Sequence, residues 1–205
     1  MRQVVFSLFI SLIFACNGES QNKNKIIGGP CQGCEAIYEY GDKVLKPVDT
    51  LPEFNVLPKP IKISGTVYKT DGETPASNVI LYVYQTDDKG KYPSKTNSKG
   101  WERRHGYLRG WMKTNTSGNY EFYTSRPASY PNTNIPQHIH ITVKEPNINE
   151  YYIDAFHFRD DPNITKDILT KNDARGGSGV ISLKKVGNIQ EAKRNIILGL
   201  NIPNY

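Results

Sequence analysis

Two histidines separated by one residue are the clearest chemical signal in the chain. From Pro136 the sequence runs Gln137-His138-Ile139-His140-Ile141-Thr142-Val143, so polar or imidazole side chains alternate with Ile139, Ile141 and Val143. A period of two is the pattern of a strand with one buried face, and it points both imidazoles the same way. Imidazoles at i and i+2 can grip one metal ion. Tyr130 stands in the proline-bracketed stretch Pro127-Ala128-Ser129-Tyr130-Pro131, close enough along the chain for the intervening loop to fold its phenol against them. On the His-x-His pair alone, two half-exposed histidines on an amphipathic strand are the simpler reading. The tyrosine and its prolines shift the balance towards a metal centre.

The elements that must position these residues read as short strands. From Ile61 onward, alternating runs are punctuated by Asp71-Gly72, Asp88-Lys89-Gly90, Ser98-Lys99-Gly100, Ser117-Gly118 and Gly176-Gly177. The pattern predicts strands over Ile61 to Lys69, Val79 to Gln85, Trp111 to Thr114, Asn119 to Tyr123, His138 to Val143, Tyr151 to Phe158, Val180 to Val186 and Arg194 to Leu200. It implies an all-β sandwich of mostly antiparallel strands. Only Asn163 to Lys171 invites a short helix, with Thr165 as its cap. The segment Tyr38 to Pro60 is proline-rich and reads as an extended N-terminal arm lying along the sandwich.

The order and spacing of these pieces resemble the intradiol ring-cleavage dioxygenases. The resemblance runs from about Lys62 to Phe158. Its pieces are Gly65-Thr66-Val67-Tyr68, Pro75 through Asp87, Gly90-Lys91-Tyr92, Leu108 through Asn115, Gly118-Asn119-Tyr120-Glu121-Phe122, Pro127 to Pro131, and His138-Ile139-His140. No single piece is specific; their succession is. The resemblance implies a non-haem iron enzyme that splits a catechol-type ring between its two hydroxyl-bearing carbons with O2, giving a muconate-type diacid without external reductant or organic cofactor.

Carried over residue by residue, the family's four ligands to Fe(3+) fall on Tyr92, Tyr130, His138 and His140, which are also the implied catalytic residues. Tyr92 stands ahead of Tyr107 as the first, because it follows the turn Asp88-Lys89-Gly90-Lys91 as the family's first tyrosine follows its strand. The set suits a ferric ion: phenolate oxygen is a hard anionic donor, and a bound cation favours the deprotonated phenol at neutral pH. Two phenolates and one hydroxide would cancel the charge of the ion. One departure stands out. Where the family commonly carries an arginine three residues before the first histidine, this chain has Ile135, and Arg109 or Arg126 would have to supply the missing cation. A family glutamine on the following strand would fall near Asp154 or Ala155, and neither is glutamine. Of the other imidazoles, His157 stands on a strand expected to run close to the histidine strand, which would bring it near the site, but it reads first as a hydrogen-bonded strand histidine; His105 reads as a solvated loop residue. Asp160-Asp161 before Pro162 reads as a turn.

The chain of 205 residues carries 26 Lys and Arg against 20 Asp and Glu, a net charge of +6 with the charges scattered. No basic stripe is interleaved with exposed aromatics, which argues against nucleic-acid binding. Met1-Arg2-Gln3 followed by the apolar run Val4 to Ala15 is too short to span a bilayer and reads as a signal peptide over residues 1–15. The ending Leu12-Ile13-Phe14-Ala15-Cys16 resembles the lipobox of bacterial lipoproteins, in which Cys16 becomes the lipid-bearing N-terminus. An ordinary signal peptide with a chance cysteine is the alternative. The expected organisation is therefore a signal over 1–15, a lipid tether and arm over 16–60, and a sandwich domain over 61–205, exported and anchored at the bacterial cell envelope. Cys31 and Cys34 then remain to form a disulfide, as an exported location permits. A homo-oligomer stays open, since members of the family often assemble through their sandwiches or arms.

Two other functional readings accompany ring cleavage: a β-sandwich binding module without iron, and an iron-binding relative that holds a phenolic ligand without cleaving it. For the lipid anchor, Cys16→Ala is expected to abolish incorporation of a fatty-acid analogue in labelled cells; a variant that stays labelled would refute the anchor.

Overall fold

The computed structural model describes residues 26–205, so the signal peptide, Cys16 and the tether lie outside the described residues. Among the described residues twelve strands form two mixed sheets that face each other across the core. In chain order they are β1 (Val48–Thr50), β2 (Pro60–Tyr68), β3 (Ile80–Gln85), β4 (Arg109–Lys113), β5 (Asn119–Ser125), β6 (His138–Lys144), β7 (Tyr151–Tyr152), β8 (Phe156–Phe158), β9 (Val180–Ile181), β10 (Lys184–Val186), β11 (Ile189–Lys193) and β12 (Ile196–Ile197). The first sheet runs β1-β5-β2-β11-β10 with β12 also on β2; the second runs β4-β3-β6-β8-β9 with β7 on β6. The sandwich expectation holds.

Alternation explains how the sheets meet. Ile61, Ile63 and Val67 of β2, Leu81 and Val83 of β3, Phe122 of β5 and Ile139, Ile141 and Val143 of β6 all turn inward and are fully or almost fully buried. Burying such side chains contributes about 1.5–3 kcal/mol each, which fixes the register of every strand that carries them. At one end of β3, buried Gln85 joins the sheets: its amide donates to the Ser125 carbonyl (2.8 Å) and accepts from Thr124 Oγ1 (3.0 Å).

The opposite face of the second sheet is covered as well. Tyr82 and Trp111 pack there against Ala36 and Ile37, on a short 3-10 turn over Cys34–Tyr38 that the sequence did not suggest. The Cys31–Cys34 disulfide, with Cα atoms 5.6 Å apart, closes the loop that leads into this turn. Within the arm β1 is extended and pairs parallel to β5, whereas the expected extension is interrupted over residues 52–59 by turns, in which the amides of Val56 and Leu57 donate to the Glu53 carbonyl. The helix after Asn163 shortens to α2 (Lys166–Leu169), capped by Thr165 Oγ1, which accepts from the Ile168 amide at 3.3 Å. A second short helix, α1 (Glu102–His105), was not foreseen.

Three expected strands break, each where the chain serves a second partner. Tyr151 to Phe158 parts at Asp154, whose amide turns to the Arg175 carbonyl. Val180 to Val186 crosses from one sheet to the other, β9 pairing β8 and β10 pairing β11. Arg194 to Leu200 shrinks to β12, which like the unexpected β11 before it runs parallel to β2, with buried Arg194 between them accepting from the Tyr120 hydroxyl through its carbonyl (2.7 Å). These parallel pairs make the sheets more mixed than expected. At Gly65, the chain between β11 and β12 comes so close that any Cβ would run into the Arg194 carbonyl. Gly65→Ala is therefore expected to destabilise the fold by about 2 kcal/mol or more, read as a lower urea midpoint.

Candidate metal centre

Both histidines of β6 lie on its outer face, opposite Ile139 and Ile141, as the alternation requires. The His138 ring is set by its other nitrogen: Nδ1 lies 2.7 Å from the Pro136 carbonyl. A carbonyl only accepts, so Nδ1 carries the proton and Nε2 keeps its lone pair, the arrangement a metal-binding imidazole needs. The start of β6 is pinned by Asp161, a buried carboxylate that accepts from the backbone amides of Gln137 (2.6 Å) and Asn163 (2.8 Å). The neighbouring Asp160 clamps Arg126 with two oxygens at 2.9 Å. The acidic pair is thus a fastening for this corner as well as a turn.

Tyr92 and Tyr130 arrive on loops that are fastened together. Asp87 at the end of β3 closes a turn by accepting, through Oδ1, from the amides of Lys89 and Lys91, and its carbonyl accepts from Ala128 N at 3.0 Å. Thr86 Oγ1 donates to the Ala128 carbonyl at 2.7 Å. Gly90, at φ 73°, lies against the Ser129 carbonyl, where a side chain would collide. The tyrosine that follows Gly90 and the one that follows Ser129 are in this way brought face to face.

Four donor atoms then converge. Tyr92 Oη lies 2.6 Å from Tyr130 Oη and 2.9 Å from His140 Nε2. Tyr130 Oη is 3.2 Å from His138 Nε2 and 3.4 Å from His140 Nε2, and the two Nε2 atoms are 3.0 Å apart. Spacings of roughly 3 Å are those of ligands sharing one ion at about 2.0–2.2 Å. Two hard oxygens and two imidazoles with free lone pairs suit iron, so the residues present fit the ion. Tyr107 is elsewhere, its hydroxyl donating to Glu53 at 2.8 Å. Among the described residues no group of three or more His, Cys, Asp or Glu side chains gathers to offer another site.

Without a cation the cluster is held neutral. Burial, with the His138 imidazole beside it, lowers His140 to about 3, and burial lowers His138 in the same direction. Burial and the hydrogen bond with Tyr130 push the Tyr92 phenol well above its usual range. Tyr84 of β3, the cross-strand neighbour of His140, stacks on its ring with centroids 4.4 Å apart. The other face of Tyr84 carries His105 at 3.8 Å.

That contact corrects the reading of His105 as a solvated loop residue. It is buried at the end of α1 and its Nδ1 lies 2.9 Å from the Tyr82 hydroxyl. The basic run Arg103-Arg104 hid it, because the pattern of so short a helix shows no apolar face. His157 lies on β8 beside the histidine strand, paired with His138, but the reading of it as a hydrogen-bonded histidine is corrected: its Nδ1 is buried without a partner. A cavity of about 410 Å3 reaches the cluster through His140, with Tyr84 and His157 in its wall and the disulfide loop on its far side. Its size is that of a small-molecule site.

A sequence model of the dioxygenase family matches residues 48–194. The chain belongs to the intradiol dioxygenase family. Within the family, a chlorocatechol 1,2-dioxygenase from Pseudomonas putida is 28% identical in an alignment 159 positions long that covers 66% of this chain and 59% of that protein. The chain thus spans somewhat under two thirds of that relative's length. Among solved structures, the fold resembles the dioxygenase domain of a dioxygenase carbohydrate-binding protein fusion from Streptomyces sp. SirexAA-E (TM-score 0.56, 21% identity, covering 78% of this chain and 95% of that one). It also resembles catechol 1,2-dioxygenase from Pseudomonas arvilla C-1 (TM-score 0.57, 13% identity, covering 75% and 56%).

The buried imidazoles contribute to the acid sensitivity of the metal-free protein. Burial, reinforced by nearby Arg109, lowers His105 to about 4, whereas the unfolded chain binds that proton near 6.5. Between these values the unfolded state holds more protons, so stability is complete above about pH 6.5 and is lost as pH falls towards 4. Urea titrations at pH 7 and pH 4.5 should show a lower midpoint in acid, and equal midpoints would contradict the burial of these rings.

Proposed function

We propose that the chain is a ferric-iron-dependent intradiol dioxygenase that cleaves a catechol-type ring with O2, with Tyr92, Tyr130, His138 and His140 as its iron ligands. The observation that carries this reading is the convergence of the four donor atoms within 2.6–3.4 Å of one another, at the end of a cavity sized for a small molecule. Ferric iron held there would supply Lewis acidity towards the two oxygens of the diol. The chain's own residues do the rest. His138 and His140 offer neutral nitrogens with fixed directions, and Tyr84 keeps the His140 ring from turning by stacking on it. Tyr92 and Tyr130 share a short hydrogen bond that places their oxygens before any ion arrives, and they would release phenolic protons to accept one. Because the cavity is walled by His140 but not by Tyr92, Tyr130 or His138, the substrate would enter from the His140 side. The substrate and its partner O2 belong to this proposal, as does attachment of the exported chain to the membrane through Cys16.

One observation favours a second reading, in which the protein holds a phenolic ligand on iron without cleaving it. Ile135 is 45% exposed and apolar. Neither candidate cation is free to replace an arginine there: Arg109 is paired with Glu39 (2.6 Å) and Glu102 (3.3 Å), and Arg126 with Asp160 and Gln137. Oxygen uptake on adding catechol separates the two readings, and a protein without iron would leave the binding module.

The visible spectrum of the protein from residue 17 onward tests the proposal. Iron loading should give a broad tyrosinate-to-iron band that shifts when catechol is added. His140→Ala should lose both band and stoichiometric iron while keeping most of its fold, because the core lies on the other side of β6. Stoichiometric iron in that variant, by elemental analysis, would refute the ligand set.

A further inference from the structure

One imidazole at the cavity has no task in the cluster. His157 of β8 is the cross-strand partner of His138, with ring centroids 5.9 Å apart, and it lines the cavity beside His140 and Tyr84. Its backbone is secured, the amide donating to the Gly179 carbonyl at 2.9 Å, and behind it Gly179 lies so close to the Ala155 carbonyl that no side chain fits. Its Nδ1 is buried and meets no hydrogen-bond partner. A buried atom of this kind is uncommon and calls for a reason. A bare lone pair is the cheaper way to leave a ring nitrogen unpartnered, since an orphaned N–H is the rarer defect in folded proteins. The proton then belongs on Nε2, the nitrogen left to serve the cavity.

The other strong donors near this wall are committed. Lys171 Nζ is bound to Asp154 at 2.8 Å, and Arg109 and Arg126 are held in the ion pairs described above. We propose that His157 is a catalytic residue that donates a hydrogen bond from Nε2 to the aromatic diol in the cavity, stabilising the negative charge that builds on the ring. The inference rests on the ring-cleavage reading and adds to it a residue that binds substrate but not iron. A neutral donor in a water-poor site is worth most when it faces charge that develops during reaction. It also costs less to bury than the guanidinium it would stand in for.

The test compares His157→Phe and His157→Gln with the unaltered iron-loaded protein, with His157→Leu taking the place of the Phe variant if that one does not fold. Iron content is measured by elemental analysis, catechol affinity by anaerobic absorption titration, and turnover by oxygen uptake. The Phe variant should keep stoichiometric iron, bind catechol about tenfold more weakly and lose about a hundredfold in kcat/KM. The Gln variant, which restores a donor, should recover most of both. Loss of iron in the Phe variant, affinity within about threefold of the parent, or a Gln variant no better than Phe would overturn the role. If the parent binds catechol on iron but does not turn over, the affinity comparison alone decides. A parent that takes up no iron would instead sink the ring-cleavage reading, and that outcome is distinct because it appears before any variant is made.

Discussion

A strand can place two imidazoles on one face only by giving its other face to something else, and β6 gives that face to the core. Ile139, Ile141 and Val143 are buried between the sheets while His138 and His140 point away from them. Slipping β6 by one residue would expose three aliphatic side chains and drive both histidines into the sandwich, so the hydrophobic effect that closes the core also aims the donors. The pairing with β3 carries the same constraint sideways. Tyr84 opposite His140 and His157 opposite His138 put two more rings on that outer face.

The tyrosines depend on different forces. They sit on loops, where polar fastenings take the place of a ladder: Asp87 ties the Tyr92 turn to the Tyr130 loop, and Gln85 and Thr86 anchor both to the strands. Burial disfavours charge on His138, His140 and Tyr92 in the metal-free chain, and the two phenol hydroxyls lie within hydrogen-bond distance of each other and of the imidazole nitrogens. The donor set therefore stands assembled, and the ordering entropy of two loops has been met by folding before a ligand binds.

How much of this could be read in the chain follows from the range of the forces involved. Alternation made β6 and its face legible, and the turn residues around Asp88 to Gly90 and Pro127 to Pro131 marked the loops that bear Tyr92 and Tyr130. The resemblance set Tyr92 ahead of Tyr107, because Tyr92 follows its turn as the family's first tyrosine does, and the Tyr107 hydroxyl reaches Glu53 instead. His105 was misread because its burial comes from Tyr84 and Tyr82, residues some twenty positions away that no local pattern points to. β11 was missed for the opposite reason: Gln190, Glu191 and Lys193 give it a polar character, and it is a strand because β2 offers it a parallel edge. The broken strands at Asp154 and Arg194 share this cause, since a backbone group that leaves its ladder for a distant partner leaves no trace in hydropathy.

The place of β2 has a temporal consequence. It lies at the middle of the first sheet, with β5 on one side and β11 and β12 on the other, partners whose residues stand about 130 positions further along the chain. Such contacts carry a large loop-closure cost and slow folding. As the chain emerges from the ribosome, β3, β4 and β6 can assemble the histidine-bearing sheet while Ile61 and Ile63 still wait for cover. The half that will hold the chemistry is thus free to form first, and the sheet packed behind it is completed only when residues 189–197 have been made.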